Sequence, residues 1–201
     1  RLHKFTPCAQ GFAVCAETLD RPVEKADAML RRLSQEIEEN SDIVMLCLNF
    51  HDIKKAAESG KVAVFISIEG CEQISSLESA YQNGVRILHP TWNFDNELCG
   101  AAVGSGRGLT EKGRAFVKKA QHMGFALDMS HISERGFWDT LEACEKPVIA
   151  GHSNARAICN VPRNLTDEQF NALVTVGGGT GINLYPEFLG LGKDINAVIA
   201  H

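Results

Sequence analysis

Glu69, His131 and His152 are side chains of metal-ligating type, and each stands at or just beyond the end of an apolar, β-branched run, at residues 62–68, 125–129 and 148–150. Parallel α/β proteins build their sites at the carboxyl ends of strands. Glutamate and neutral imidazole are ordinary zinc ligands, and the two oxygens of a carboxylate can bridge two metals. A metal held this way makes a bound water nucleophilic near neutral pH. Three placements from three strands matter more than any one of them, and a shared metal centre is one reading of them. Taken singly, each residue also fits a plainer role, a hydrogen-bonded histidine at a strand end or a solvated glutamate ahead of a glycine, and spacing alone does not choose.

The elements that must position these residues are legible as an alternation. Apolar runs at residues 11–16, 43–48, 62–68, 85–88, 125–129, 148–150 and 180–184 are separated by segments of helical pattern, the signature of parallel βα units. Their near-continuous hydrophobicity suits strands covered on both faces. Ala26, Met29, Leu30, Leu33 and Ile37 mark one face of a helix. Thr110 predicts the start of another that runs to Met123 and stops at Gly124, and Thr166 with Gln169 has the pattern of a capping box. Gly177, Gly178 and Gly179 lack the GxGxxG spacing of a dinucleotide loop. There are no repeats or linkers, so residues 1–201 are expected to form one domain, either a barrel or a doubly wound sheet.

Composition narrows the partners. The 201 residues carry 25 acidic against 20 basic side chains, a formal net charge of −5, which argues against the basic footprint that nucleic-acid phosphates require and favours small molecules. The seven cysteines are an odd number, lie mostly within apolar runs and include no CxxC pair. They are expected to be buried free thiols, as in a reducing compartment, the cytoplasm. No apolar run reaches the ~18 residues of a membrane span, and residues 1–10 do not read as a signal peptide.

Six motifs follow one another in a recognisable order: Ser67-Ile68-Glu69-Gly70, Gly84-Val85-Arg86, Gly108-Leu109-Thr110 with Gly113-Arg114, Asp128-Met129-Ser130-His131, His152-Ser153-Asn154-Ala155 with Pro162-Arg163-Asn164, and Gly181-Ile182-Asn183-Leu184-Tyr185. In order and spacing the chain resembles the membrane (renal) dipeptidase family of zinc peptidases along essentially its whole length. The resemblance implies that residues 1–201 are a catalytic domain, a distorted (β/α)8 barrel of TIM type, with two zinc ions per complete site. Glu69 matches the carboxylate that bridges the ions, and His131 and His152 match the imidazoles of the second zinc. Arg163 matches the arginine that receives the substrate's terminal carboxylate, a task suited to its planar, permanently charged fork, and Tyr185 matches a tyrosine of the substrate pocket.

Two departures stand beside the resemblance. Trp92, in the run Thr91-Trp92-Asn93, occupies the place of a histidine that in several members contacts the substrate or the tetrahedral intermediate. The family's His-x-Asp pair for the first zinc and its late Asp-Phe-Asp motif, which supplies the acid/base aspartate, are both absent from these residues. The expectation is a barrel cut at both ends, lacking its first strand and its last strands, with no assignable acid/base residue and no activity on its own. Among the other residues, Asp128 fits either an acceptor that orients a ligand or an ordinary strand-end cap. His3, His51, His89, His122 and His201 are expected in structural or solvent roles.

The implied function of the parent protein is hydrolysis of dipeptides by a metal-activated water at a two-zinc site. Another barrel metal hydrolase acting on lactones or amides, and a truncated, non-catalytic remnant that binds a ligand, are the competing expectations. Dipeptides are the expected partners, without nucleic acid or a membrane span, and assembly is left open, a homodimer included.

Overall fold

The computed structural model describes every residue except Arg1, Thr18, Leu19, Leu191 and Lys193, and these form two compact units, residues 1–88 and 89–201. In the first unit β1 (Ala9–Val14), α1 (Pro22–Glu39), β2 (Val44–Leu46), α2 (Phe50–Glu58), β3 (Val62–Glu69), α3 (Leu77–Gln82) and the body of β4 (Val85–His89) alternate along the chain. β3 is the central strand. It runs parallel to β1 from the pair Ala9 and Ala63 to the pair Val14 and Ile68, parallel to β2 over Val62 to Val64, and has β4 as a further neighbour. Val62, Ala63, Val64, Ile66 and Ile68 are all buried, so both faces of β3 are covered and its sequence is apolar at successive positions rather than alternate ones. The carboxyl end of this strand delivers Glu69.

The first helix follows its periodicity with one exception. Ala26 and Leu30 are buried as the apolar stripe requires, but Met29 is 39% exposed, because the stripe that meets the sheet is narrower than the five apolar positions suggest.

In the second unit α4 (Glu111–Met123), β5 (Ala126–Leu127), α5 (Glu134–Ala143), β6 (Ile149–Ala150), α6 (Asp167–Thr175), β7 (Gly179–Thr180), α7 (Pro186–Leu189) and α8 (Ile195–Ala200) follow in order. The signals for α4 and α6 are realised in detail. Thr110 Oγ1 accepts from Gly113 N at 3.0 Å, Gly124 ends α4 at φ 99°, and Thr166 and Gln169 form a reciprocal capping box. β6 and β7 are parallel, and a parallel bridge joins Asp128 to Ile149. Leu127, Met129, Phe137, Val148, Ala150 and Leu173 are fully buried or nearly so around these strands.

The run at 180–184 is where the expected strand and the observed one differ most. β7 ends at Thr180, main-chain bonds from Gly181 N to Ala150 O at 3.0 Å and from Ser153 N to Gly181 O at 2.8 Å prolong the pairing by one residue, and the backbone then leaves the ladder. Further on, the partner of Asn183 N is a side chain, Asn154 Oδ1, at 2.8 Å. Side-chain amides replace strand pairing, so Ile182 and Leu184 stay exposed although apolar. Gly181 is needed at this crossing, since a Cβ there would lie 2.2 Å from Gly151 O.

All seven cysteines are free, with Cys47, Cys71 and Cys99 buried. Burial pushes the Cys99 thiol up to about 12 and those of Cys15 and Cys144 to about 11. A thiol in an unfolded chain ionises near ~8.5. Below that pH both states keep the proton and stability is unaffected. As pH rises toward 11–12 the unfolded chain loses its protons first, and stability is lost with them. The urea midpoint is therefore expected to be level from about pH 6 to 8 and to fall above ~9, while at pH 8 iodoacetamide should modify Cys99 only at the rate of unfolding. A midpoint level through pH 10, or rapid alkylation of native Cys99, would contradict this.

Candidate metal and substrate site

The geometry of the second unit starts from Asp128, which is buried at the end of the β5 segment. Its Oδ1 accepts from Ser130 N at 3.0 Å, from Ser130 Oγ at 2.5 Å and from Gly151 N at 3.0 Å, and its Oδ2 accepts from Gly151 N at 3.0 Å. Ser130 Oγ in turn accepts from His152 N at 3.0 Å. One carboxylate and one hydroxyl thus tie the turn after β5, which carries His131, to the turn after β6, which carries His152. Asp128 caps the strand end, and the motif Asp-Met-Ser-His clamps together the two turns that carry the imidazoles.

The two rings meet at Nε2, 2.9 Å apart. Their protons can be assigned from their partners. Nδ1 of His131 lies 3.2 Å from Asn93 Oδ1, and a carbonyl oxygen only accepts, so Nδ1 carries the proton. Nε2 of His131 lies 3.2 Å from Arg163 Nη2, and a guanidinium only donates, so Nε2 holds the lone pair. Both contacts select the same tautomer, with Nε2 prepared as an electron-pair donor, the arrangement in which an outer acceptor orients a metal-ligating histidine. His152 then supplies the hydrogen between the rings. Two nitrogens bound to one tetrahedral zinc at ~2.0–2.1 Å would sit roughly 3.3 Å apart, a few tenths wider than the present separation. The pair therefore fits a metal, which would take the place of the shared proton and compete with Arg163 for the lone pair on His131.

A third imidazole stands beside them. His89, at the end of β4 and buried, has its ring centre 5.4 Å from that of His152 and 6.1 Å from that of His131, and its Nδ1 is 3.5 Å from Asp128 Oδ1. The sequence pattern placed His89 in a strand without saying which way it points. Trp92 packs edge-on against Phe94, with its ring centre 6.4 Å from that of His131, and Asn93 beside it sets the His131 tautomer. Neither His89 nor Asn93 had a spacing signal, because both act through one approach in space rather than through a repeat.

Arg163 is buried, with its guanidinium 5.3 Å from the Phe188 ring centre as well as beside His131. Three asparagines hold this region in shape. Asn154 Nδ2 donates to Asn183 O and Phe188 O, Asn164 Nδ2 donates to Cys159 O and Phe188 O, and Asn183 Nδ2 donates to His152 O. The asparagines in His-Ser-Asn, Pro-Arg-Asn and Ile-Asn-Leu-Tyr are thus one latch between the loops of His152 and Arg163 and the start of α7. Tyr185, half exposed, precedes α7 and packs at a tilt against Phe188, with ring centres 4.9 Å apart, on the aromatic ring that Arg163 also faces.

In the first unit Glu69 ends β3, where its peptide oxygen accepts from the buried Gln73 amide, and Gln73 also accepts from Ala16 N. The Glu69 carboxylate adds to burial in raising the thiol of Cys15. The structure therefore brings together His131, His152 and Arg163 of the expected residues, sets Tyr185 one ring away from Arg163, and places Glu69 at the strand end read from the sequence.

Comparison with known proteins gives one family. Residues 5–201 match the family described as membrane dipeptidase, peptidase family M19. A protein of the pqqA 5′ region of Klebsiella pneumoniae is 35% identical over 179 residues, 84% of this chain, and the chain spans 66% of that relative's length. The fold superposes on the dipeptidase AC, a metallopeptidase of family M19, with a TM-score of 0.89 at 24% identity, over 95% of this chain and 66% of that one. It also superposes on a Rhodobacter sphaeroides metallopeptidase bound to a phosphinate mimic of L-Ala-D-Ala, with a TM-score of 0.87 at 24% identity, over 96% of this chain and 68% of that one. The α/β architecture with parallel strands is that of these TIM-barrel-like proteins, present here in part. The chain belongs to the membrane dipeptidase family, peptidase family M19.

Proposed function

We propose that the protein is a zinc-dependent dipeptidase, with two zinc ions in the complete site, His131 and His152 as ligands of one of them and Glu69 as the shared carboxylate. The observation that carries this reading is the His131 and His152 pair, whose Nε2 atoms face each other at 2.9 Å with the His131 lone pair selected by two independent partners. When bound, zinc supplies a water that is nucleophilic near neutral pH and a positive charge against the carbonyl oxygen. The chain's own residues do the positioning. Asp128 and Ser130 hold the two imidazoles, Asn93 keeps the proton of His131 on Nδ1, and Arg163 presents a bidentate fork to the terminal carboxylate of a dipeptide, with Tyr185 flanking that end.

The ligand count sets what these 201 residues do alone. They contain neither a His-x-Asp pair nor an Asp-Phe-Asp motif, so one tightly held metal and negligible hydrolysis are the proposal for the isolated stretch. A single protein carboxylate does not hold a second zinc against water, and a missing general acid slows the leaving step by ~10²–10⁴-fold.

The test uses the protein expressed from its complete gene. Free dipeptides should be hydrolysed and the same dipeptides amidated at the carboxyl terminus should not. Arg163→Lys replaces the fork by a point charge, and losing one charge-assisted hydrogen bond at about 1.5–3 kcal/mol should lower kcat/KM by about 10–150-fold, mostly through KM. Equal cleavage of the amidated dipeptides, or unchanged kinetics in Arg163→Lys, would remove the carboxylate from this arginine.

A further inference from the structure

We propose that His89 is a third imidazole ligand, so that the second unit binds a divalent transition metal through His89, His131 and His152. The inference rests on the reading of His131 and His152 as ligands and adds a residue from a different strand. A ring nitrogen of His89 lies within 4.8 Å of one of His152. Asp128 Oδ1, 3.5 Å from Nδ1, is a nearby negative charge that favours a hydrogen on Nδ1 and the lone pair on Nε2, the polarity found behind a metal-ligating histidine. One carboxylate thus lies beside His89 and ties the turns that carry His131 and His152.

Burial argues in the same direction. His89 is 3% exposed, where an aromatic hydrocarbon would fill the space without removing two ring nitrogens from water. Neutral imidazoles are ordinary zinc ligands, and a third beside His131 and His152 suits such a site.

The experiment measures zinc affinity by chelator competition and counts imidazoles by X-ray absorption in the wild-type protein and in His89→Gln, with circular dichroism as the check on folding. The expected result is three imidazoles in the wild type and two in the variant, with affinity weaker by more than the ~100-fold that loss of an outer partner costs. His89→Cys keeps a ligand at the position, and after cobalt loading it should recover most of the affinity and show a cobalt–thiolate charge-transfer band. Unchanged affinity and imidazole count in a folded His89→Gln would overturn the role of His89 while leaving the other two histidines in place. If His89→Gln fails to fold, the cysteine variant decides, and a cobalt-loaded protein without the thiolate band overturns the proposal. A wild-type protein that binds no zinc overturns both this proposal and the reading on which it rests.

Discussion

Replacing His152 with alanine is expected to abolish tight metal binding and dipeptide hydrolysis together while leaving the fold intact. The main-chain contacts of this residue do not involve the ring: His152 N donates to Ser130 Oγ and His152 O accepts from Asn183, and both survive the substitution. What disappears is one member of the 2.9 Å imidazole pair. Losing a mere outer partner of a ligand weakens a metal site by ~10–100-fold, so losing the ligand should exceed the upper end of that range, and hydrolysis should fall by at least ~100-fold with it. Isothermal titration with zinc, beside a thermal melt of the metal-free protein, separates the two effects. A variant that binds zinc as tightly as wild type removes His152 from the metal site, and a metal-free melt lowered by tens of degrees would make its role structural.

Asp128→Ala should do the opposite, damaging the fold as well as the site. The substitution leaves Ser130 N, Ser130 Oγ and Gly151 N without the acceptor they share, in a place where Asp128 is 4% exposed. Each buried donor left unsatisfied costs about 1–3 kcal/mol, so a total of about 3–5 kcal/mol is expected, or a lowering of Tm on the order of 10 °C for a chain of this size. Asp128→Asn keeps one oxygen and should fall between. The clamp also predicts a coupled effect, since both histidine turns hang on it: zinc affinity should drop in Asp128→Ala even at temperatures where the variant is fully folded. A melt within a degree of wild type would mean that the turns hold themselves.

The features of the fold that were legible in the sequence are those that arise from local signals. β3 was plain because burial on both faces leaves no polar position between Val62 and Ile66, and α4 and α6 announce themselves through Thr110, Gly124 and the capping box of Thr166 and Gln169. The run at 180–184 misled because apolar composition does not distinguish a paired strand from a segment fastened by side-chain amides; Asn154 and Asn183 make that substitution, and neither is marked by any period. The site divides in the same way. His131, His152 and Arg163 could be named because strand ends and the order of motifs locate them. His89 could not, since the direction of a strand's last side chain depends on neighbours that lie far along the chain, and Asn93 was hidden because its function is to choose a tautomer for His131 across 38 residues.

The account stands most directly on metal-dependent dipeptide hydrolysis by the protein expressed from its complete gene. The measurement is the initial rate on a panel of free dipeptides before chelation, after removal of bound metal, and after readdition of zinc, with bound metal determined at each stage. The rate is expected to vanish on removal and to return on readdition in step with zinc bound. Hydrolysis that persists in metal-free protein, or zinc-loaded protein that leaves every dipeptide intact, would contradict it.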